Sequence, residues 1–403
     1  MSDNRAAAGA AEFVALMALL ISLTAMSIDA ILPALTEIGA ALGVVNENNN
    51  QLLVTALFIG FSFGQIFYGP LSDSIGRKNA IYLGLFIFMT GCLLSLFAAD
   101  FEQMLTGRFL QGLGAAGPRI VTVAMVRDRH EGRAMARIMS FVMAVFILVP
   151  ALAPALGQAV MLLAGWRAIF VMFLLLAVTA SLWLLLRQPE TLPRERRRRL
   201  SSRVLLSGIA ECFRNRSVLG HILATGTVSG AFIAYLSSAQ QIFQVQYALG
   251  EAFPIYFGAL ALAIGAASIA NGRLVMRFGM QRLSSLALVV LIALSFGFLP
   301  LALLADGHPP LWQFVLFLMG IFFCIGMLFG NLNALAMEPL GHIAGIGAAV
   351  VGSVSTLISV LLAIVIGLLY DGTIVPLVTA FALLGVVSLA FARWAASARQ
   401  TSA

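Results

Sequence analysis

The sequence predicts an all-α membrane protein of twelve transmembrane helices in two pseudo-symmetric six-helix bundles. Three observations carry this expectation: a composition too apolar for water, a series of runs long enough to cross a bilayer, and a loop pattern that occurs once in each half. Of 403 residues, 61% are hydrophobic and 10% are charged, whereas roughly a quarter of an ordinary soluble domain is charged. That balance excludes a soluble enzyme, and 29 Phe with so little charge exclude intrinsic disorder. Nucleic acid is excluded as a partner because the basic residues are dispersed between apolar runs. Cys92, Cys212 and Cys324 have no CxxC spacing and the four His are scattered, so neither a disulfide framework nor a metal site is expected.

A helix needs about 20 largely apolar residues to cross about 30 Å of hydrocarbon. The first such run, Phe13–Leu35, follows a short leader with a single Arg5; it contains Asp29 and offers no cleavage site, so it reads as a retained helix and not a signal peptide. Leu52–Leu71 and Ala80–Ala98 flank the loop Gly69 to Lys78. Met104–Val126 carries Arg108 and Arg119, and Ile138–Leu163 carries Pro150, Pro154 and Gly157. Arg167–Leu186 closes the first half, giving an expected domain of residues 1–187. The longest hydrophilic segment, 188–217, holds Arg194-Glu195-Arg196-Arg197-Arg198-Arg199; topology and attraction to anionic membrane lipid account for that run better than a nucleic-acid signal. A second domain, 218–403, follows with Val218–Phe243, Pro254–Val275, Leu283–Leu304, Leu311–Met337, Ile343–Leu369 and Ile374–Trp394.

The loop from Gly69 to Lys78 and the loop from Gly272 to Arg282 both have two glycines seven apart followed by a basic residue, half a chain from one another. Duplicated halves of this kind are how secondary transporters rock about a midplane site. Placing the amino terminus inside puts all but three of the 24 Lys and Arg at cytoplasmic helix ends, the three being Arg108, Arg119 and Arg167. Both termini are therefore expected in the cytoplasm.

Ionisable residues within the hydrocarbon are functional candidates by default. Among 17 acidic residues only Asp29 is embedded in a run, about one and a half turns from its outer end. Its charge depends on its surroundings, so moving a nearby arginine or admitting a substrate can put a proton on or take it off. The alternative is that Asp29 only pins the helix before Pro33. Arg108 lies at a comparable depth and is the expected counter-ion; Arg119, 11 residues on, is about 20° from the same face. Arg119 either faces the cavity or snorkels toward the cytoplasmic end. In the loop, Gly69 and Gly76 permit a tight turn, while Asp73, Arg77 and Lys78 can pair with Arg127-Asp128-Arg129; the same contacts serve a conformational gate or a static staple. Pro150, Pro154 and Gly157 interrupt the fifth helix and allow bending or close packing. The pairs Gly60 with Gly64, Gly226 with Gly230 and Gly326 with Gly330 read as packing notches. Gln111, Tyr235, Gln241 and Asn331 are expected to line the substrate cavity with Asp29 and Arg119.

Gly69-Pro70-Leu71-Ser72-Asp73-Ser74-Ile75-Gly76-Arg77-Lys78 resembles the signature loop of the major facilitator superfamily, and Arg108-Phe109-Leu110-Gln111-Gly112-Leu113-Gly114-Ala115-Ala116 resembles its fourth-helix motif. Asp29-Ala30-Ile31-Leu32-Pro33, Val126-Arg127-Asp128, Pro150 to Gly157 and Ala270-Asn271-Gly272-Arg273 resemble the Bcr/CflA branch of drug:proton antiporters. The resemblance implies export of drug-like molecules by alternating access, powered by the proton gradient with no cofactor, from a monomer in a bacterial inner membrane. It places proton coupling on Asp29 and Arg108 and stabilisation of the outward-facing state on Asp73, Arg77 and Asp128. The fifth-helix pattern is in the branch-specific form. Arg119 lies outside the general fourth-helix motif and adds a positive charge that favours neutral or anionic substrates over lipophilic cations. An exporter or proton symporter of one specific metabolite is the alternative on the same fold. An enzyme is not expected, since no Ser, His and acid set or HExxH motif is present.

Overall fold

The computed structural model describes residues 2–130, 132–197 and 201–400. Arg198 and Arg199 of the basic run lie outside the described residues, as do the side chains of Arg5, Arg133 and Arg399. Among the described residues the chain is helical with no strand. The helices are α1 (Ser2–Asp29), α2 (Leu35–Ala41), α3 (Leu52–Ile75), α4 (Arg77–Leu96), α5 (Phe101–Arg129), α6 (Gly132–Ala164), α7 (Arg167–Arg187), α8 (Ser202–Arg214), α9 (Arg216–Gln240), α10 (Phe253–Phe278), α11 (Met280–Leu304), α12 (Leu311–Met337), α13 (Ala344–Leu368) and α14 (Val375–Gln400).

Among the described residues, eleven continuous helical stretches are long and apolar enough to cross a membrane. One of them, Leu311–Leu368, contains both α12 and α13, joined by the 3-10 turn Glu338–Ile343 that opens with Pro339. The twelve expected crossings are thus all present, and the chain is a multi-pass membrane protein. Large apolar side chains such as Leu152, Leu175, Leu301 and Leu361 are exposed on the helix surfaces, where lipid is the natural solvent.

The first crossing differs from its expected form. It runs to Ala41 and is broken: α1 stops at Asp29, a 3-10 turn covers Leu32–Ala34, and α2 resumes at Leu35. Pro33 supplies the cause, because its ring clashes with the carbonyl four residues back, that of Asp29, and it has no N–H to continue the ladder.

The segment read as a plain hydrophilic linker also contains a helix. Along α8, Ile209 and Cys212 pack on a core of Val218, Ile222, Ala336, Leu340 and Val350, while Val204, Leu206 and Phe213 remain exposed. Its charge hides a clear amphipathic pattern from a simple search for uncharged runs.

The contacts group the chain into two compact units. One comprises the chain up to Gly43 with Ile59–Ser201; the other comprises Val44–Phe58 with the chain from Ser202 onward. In the first, α4 and α5 pack backbone to backbone: a methyl group on Gly84 would meet the Gly114 carbonyl, and one on Gly91 would meet the Gly107 carbonyl. Gly60 and Gly64 do the same for α3 against Phe109 and Leu113 of α5. In the second, Gly226 and Gly230 seat α9 against Ile358 and Leu362 of α13, and Gly326 seats α12 against α10 at Ile264. The first two expected pairs and Gly326 are packing notches, as small residues commonly are between membrane helices, whereas a methyl group on Gly330 would meet only Asn271 at 4.0 Å.

Candidate functional site

The broken first crossing places Asp29 at the end of α1, with the residue 4% exposed. Gly157 of α6 sits directly on the break: a methyl group there would overlap the carbonyl of Ala30. Pro150 and Pro154 lie inside the same helix. The fifth-helix motif and the first-helix acid therefore form one locus. Gly157→Ala is expected to force α6 off Ala30, costing about 1–3 kcal/mol; a lowered Tm in detergent is the measurement, and an unchanged Tm would remove this contact from the account.

Two hydrogen bonds fix α1 against α5. Thr24 Oγ1 donates to the Ala115 carbonyl at 3.2 Å, and Arg108 Nη2 donates to the Ser27 carbonyl at 2.8 Å. Arg108 is wholly buried; its Nη1 donates to Gln111 Oε1 at 2.6 Å, one turn along the same helix face. Gln111 Nε2 donates in turn to the Gly91 carbonyl at 3.2 Å and to Ser95 Oγ at 3.0 Å.

This corrects two expectations. The ion pairs among the described residues do not include Asp29 with Arg108; the arginine instead holds the backbone two residues before the acid. Gln111, expected on the cavity wall, is fully buried and orients Arg108. Ser27, Gly91 and Ser95 were invisible to sequence reasoning, because backbone carbonyls and single serines in apolar runs carry no distinguishing pattern.

Arg119 does not snorkel. Its guanidinium carbon lies 4.5 Å from the ring centroid of Phe146 on α6, and its Nη1 is buried.

The loop residues converge on the side of the first unit that carries its arginine-rich ends. Arg77, 4% exposed, pairs with Asp73 at 2.5 Å and with Asp128 at 2.8 Å, and donates to Ser72 Oγ at 2.7 Å. Ser72 Oγ donates to the Gly69 carbonyl at 2.8 Å. Gly76 has φ +100°, and a methyl group there would also meet Glu190 and Arg197. Lys78 Nζ donates to the Gln188 carbonyl at 2.6 Å, and Arg129 donates to Gln188 Oε1 at 2.6 Å. Arg127 is exposed.

The segment after α7 completes this cluster in a way the sequence did not suggest. Glu190 accepts from the backbone N–H groups of Arg77 and Lys78 at 3.0 and 3.2 Å, capping the start of α4, where negative charge is favourable. Thr191 Oγ1 donates to Asp128 at 3.2 Å. Only the polar run Gln188-Pro189-Glu190-Thr191 directly after a membrane helix offered a clue. The repeat at Gly272 to Arg282 keeps the turn, with Gly279 at φ +77°, but Met276 stands where the first copy has Asp73.

In the second unit the three expected cavity residues have different surroundings. Tyr235, 1% exposed, lies in an aromatic cluster with Phe322 at 4.7 Å and Phe257 at 6.1 Å between ring centroids. Asn331 and Asn271 exchange two amide hydrogen bonds, of 3.1 and 2.7 Å, clamping α12 to α10. Gln241 begins a π-helical turn, Gln241–Gln246, at the far end of its crossing from Arg216. It accepts from Gln51 at 2.6 Å and donates to the Glu47 carbonyl at 3.2 Å. Gln241 lines a cavity of about 280 Å³ with Glu47, Asn48, Gln246, Tyr370 and Asp371. Burial, reinforced by Asp371 and Glu47, pushes the Tyr370 phenol up to about 12, so it remains a neutral donor there.

Glu12 is held by Arg187 at 2.5 Å and by the Trp183 indole at 3.0 Å, which makes it a fastening point of α1 on α7.

Comparison with known proteins agrees with this architecture. The model of the Major Facilitator Superfamily matches residues 17–363. The chain is 30% identical over 380 residues to the "Uncharacterized MFS-type transporter YdgK" of Bacillus subtilis, covering 93% of both chains. It is 26% identical to the bicyclomycin resistance protein homolog of Haemophilus influenzae, covering 94% of both, and 26% identical to the multidrug resistance protein MdtL of Salmonella heidelberg, covering 83% of this chain and 82% of that one. A solved D-xylose-proton symporter superposes with a TM-score of 0.75 at 14% identity, covering 94% of this chain and 96% of the other, a likeness of fold.

Proposed function

We propose that this chain, which belongs to the major facilitator superfamily, exports drug-like small molecules across the bacterial inner membrane by alternating access, in exchange for protons. The observation that carries the reading is Asp29: an acid buried among the helices at the break in a membrane-crossing stretch whose position is set by Arg108 and Gly157. A carboxyl group so placed changes charge only by exchanging a proton or a ligand, which is what coupling requires. The names of the Haemophilus and Salmonella relatives support drug-like compounds as cargo. The distribution of arginines supports a topology with both termini in the cytoplasm. Nothing in the reading needs a cofactor or a second subunit.

The energy suffices. One proton moving down about 100 mV contributes about 2.3 kcal/mol, and each pH unit adds about 1.4 kcal/mol. Together they sustain a substrate gradient of about a few hundredfold.

The test is uptake of a fluorescent drug into everted vesicles, with chloramphenicol as competitor. An antiporter accumulates the drug when the lumen is acid, and an uncoupler abolishes the accumulation. A proton symporter expels it, and that result would replace export by the uptake of a metabolite.

A further inference from the structure

Arg119 stands near the middle of α5, directly after Pro118. Its Nη1 is buried without a hydrogen-bond partner among the described residues. Phe146 supports the guanidinium from α6, with 4.5 Å between the guanidinium carbon and the ring centroid. Thr122, one turn further along the same face of α5, also has a buried hydroxyl without a partner, and so does Ser22 on α1. The register set by Thr24 against Ala115 brings Ser22 within about one helical turn of Arg119 along the bundle. Three unsatisfied polar atoms thus lie within about one and a half helical turns along the first unit, and one of them belongs to a fixed positive charge.

A guanidinium N–H left unpaired in hydrocarbon is costly. A ring against the guanidinium supplies no hydrogen-bond acceptor in its plane, and the N–H edge of a guanidinium matches the two oxygens of a carboxylate. The interior crossings of this unit hold two arginines, Arg108 and Arg119, against the single acid Asp29. Arg108 is already engaged by Ser27 and Gln111. We propose that Arg119, seated on Phe146, is the recognition point for the carboxylate of organic acids, and that these form the substrate class preferred by the transporter. The proposal rests on the export reading above and deepens it by naming the cargo's charge. It also runs opposite to the lipophilic cations that an acid-only cavity would select.

The experiment uses the full chain in lipid nanodiscs, with calorimetric binding of 1-naphthoate and its uncharged carboxamide, 1-naphthamide, and empty nanodiscs as the blank. Wild type is expected to bind naphthoate about tenfold or more tightly than naphthamide, the value of one charge-assisted hydrogen bond. Arg119→Gln is expected to bring that ratio to about one while leaving naphthamide affinity within a factor of about two; the comparison uses protein whose Tm matches wild type. Arg119→Lys keeps the charge, loses the fork and recovers part of the ratio; it carries the test if Arg119→Gln fails to fold. A wild-type ratio near one, absence of naphthoate binding, or a preference that survives Arg119→Gln would overturn the assignment. The export reading is scored separately in everted vesicles. Proton-driven chloramphenicol uptake without any acid preference would sink the carboxylate site alone, whereas Arg119-dependent acid binding without gradient-driven movement would sink export alone.

Discussion

Asp29→Asn is expected to abolish uphill transport while leaving the protein folded and able to bind drug. The substitution keeps the size and shape of the side chain, replaces one carboxylate oxygen by an amide NH2, and removes both its charge and its ability to exchange a proton. On the proposed exchange of one proton per cycle, wild-type vesicles are expected to sustain a gradient of about a few hundredfold; the variant is expected to fall to a ratio of about one, with drug Kd within about threefold of wild type. If Asp29 served only to pin the end of α1 before Pro33, the variant would instead lose Tm and binding together, because the pin would fail in every state. Continued accumulation against a gradient would remove Asp29 from the coupling step. Glu12 would then be the next acid to test, although its attachment to Arg187 and Trp183 gives it a structural task already.

The second large effect is expected at Arg77. This side chain is buried and makes two ion pairs, joining the ends of α3, α4 and α5. Removing it leaves Asp128, whose side chain is 17% exposed, without its closest cation. Arg77→Ala is therefore expected to cost about 2–3 kcal/mol, read as a lower Tm in detergent. Asp73 is different: its carboxylate is 45% exposed, so Asp73→Asn should cost less than about 1 kcal/mol. The expected order of destabilisation is Arg77, then Asp128, then Asp73; a different order would refute the weighting by exposure. If these contacts are a gate and not a staple, the turnover of surviving Arg77→Ala protein changes as well, by about tenfold for each 1.4 kcal/mol of difference between the access states. A staple lowers Tm and leaves that turnover alone.

Much of the architecture is legible in the sequence because the bilayer leaves so little choice. Backbone polar groups must be satisfied within each crossing, so an apolar run of sufficient length becomes a helix whatever its neighbours. The runs at Leu283–Leu304 and Leu311–Met337 need no tertiary information to be recognised, and their ends agree with α11 and α12 to within a few residues. Where the pattern was less regular the reading was weaker. α8 is amphipathic and flanked by charge, and the bend after Asp29 depends on a single proline.

The candidate site divides in the same way. Asp29, Arg108, Arg119 and Arg77 stand out from sequence because each is costly where it lies, and a costly residue needs a reason. Their partners do not stand out. Arg108 bonds the Ser27 carbonyl and not Asp29, and Glu190 caps α4 from more than a hundred residues away. Asn331, a plausible cavity residue by polarity, clamps Asn271, whereas Gln241 lines a cavity while bonded to Gln51. A side-chain type announces which groups it can pair with, but several partners of equal chemistry exist in every helix. The sequence by itself determined the crossings, the family loop and which residues carry charge into the membrane. Only the tertiary structure decided which of them meet, because hydrogen bonds are satisfied within about 3 Å and that proximity is set by how glycines such as Gly157, Gly84 and Gly91 let whole helices approach.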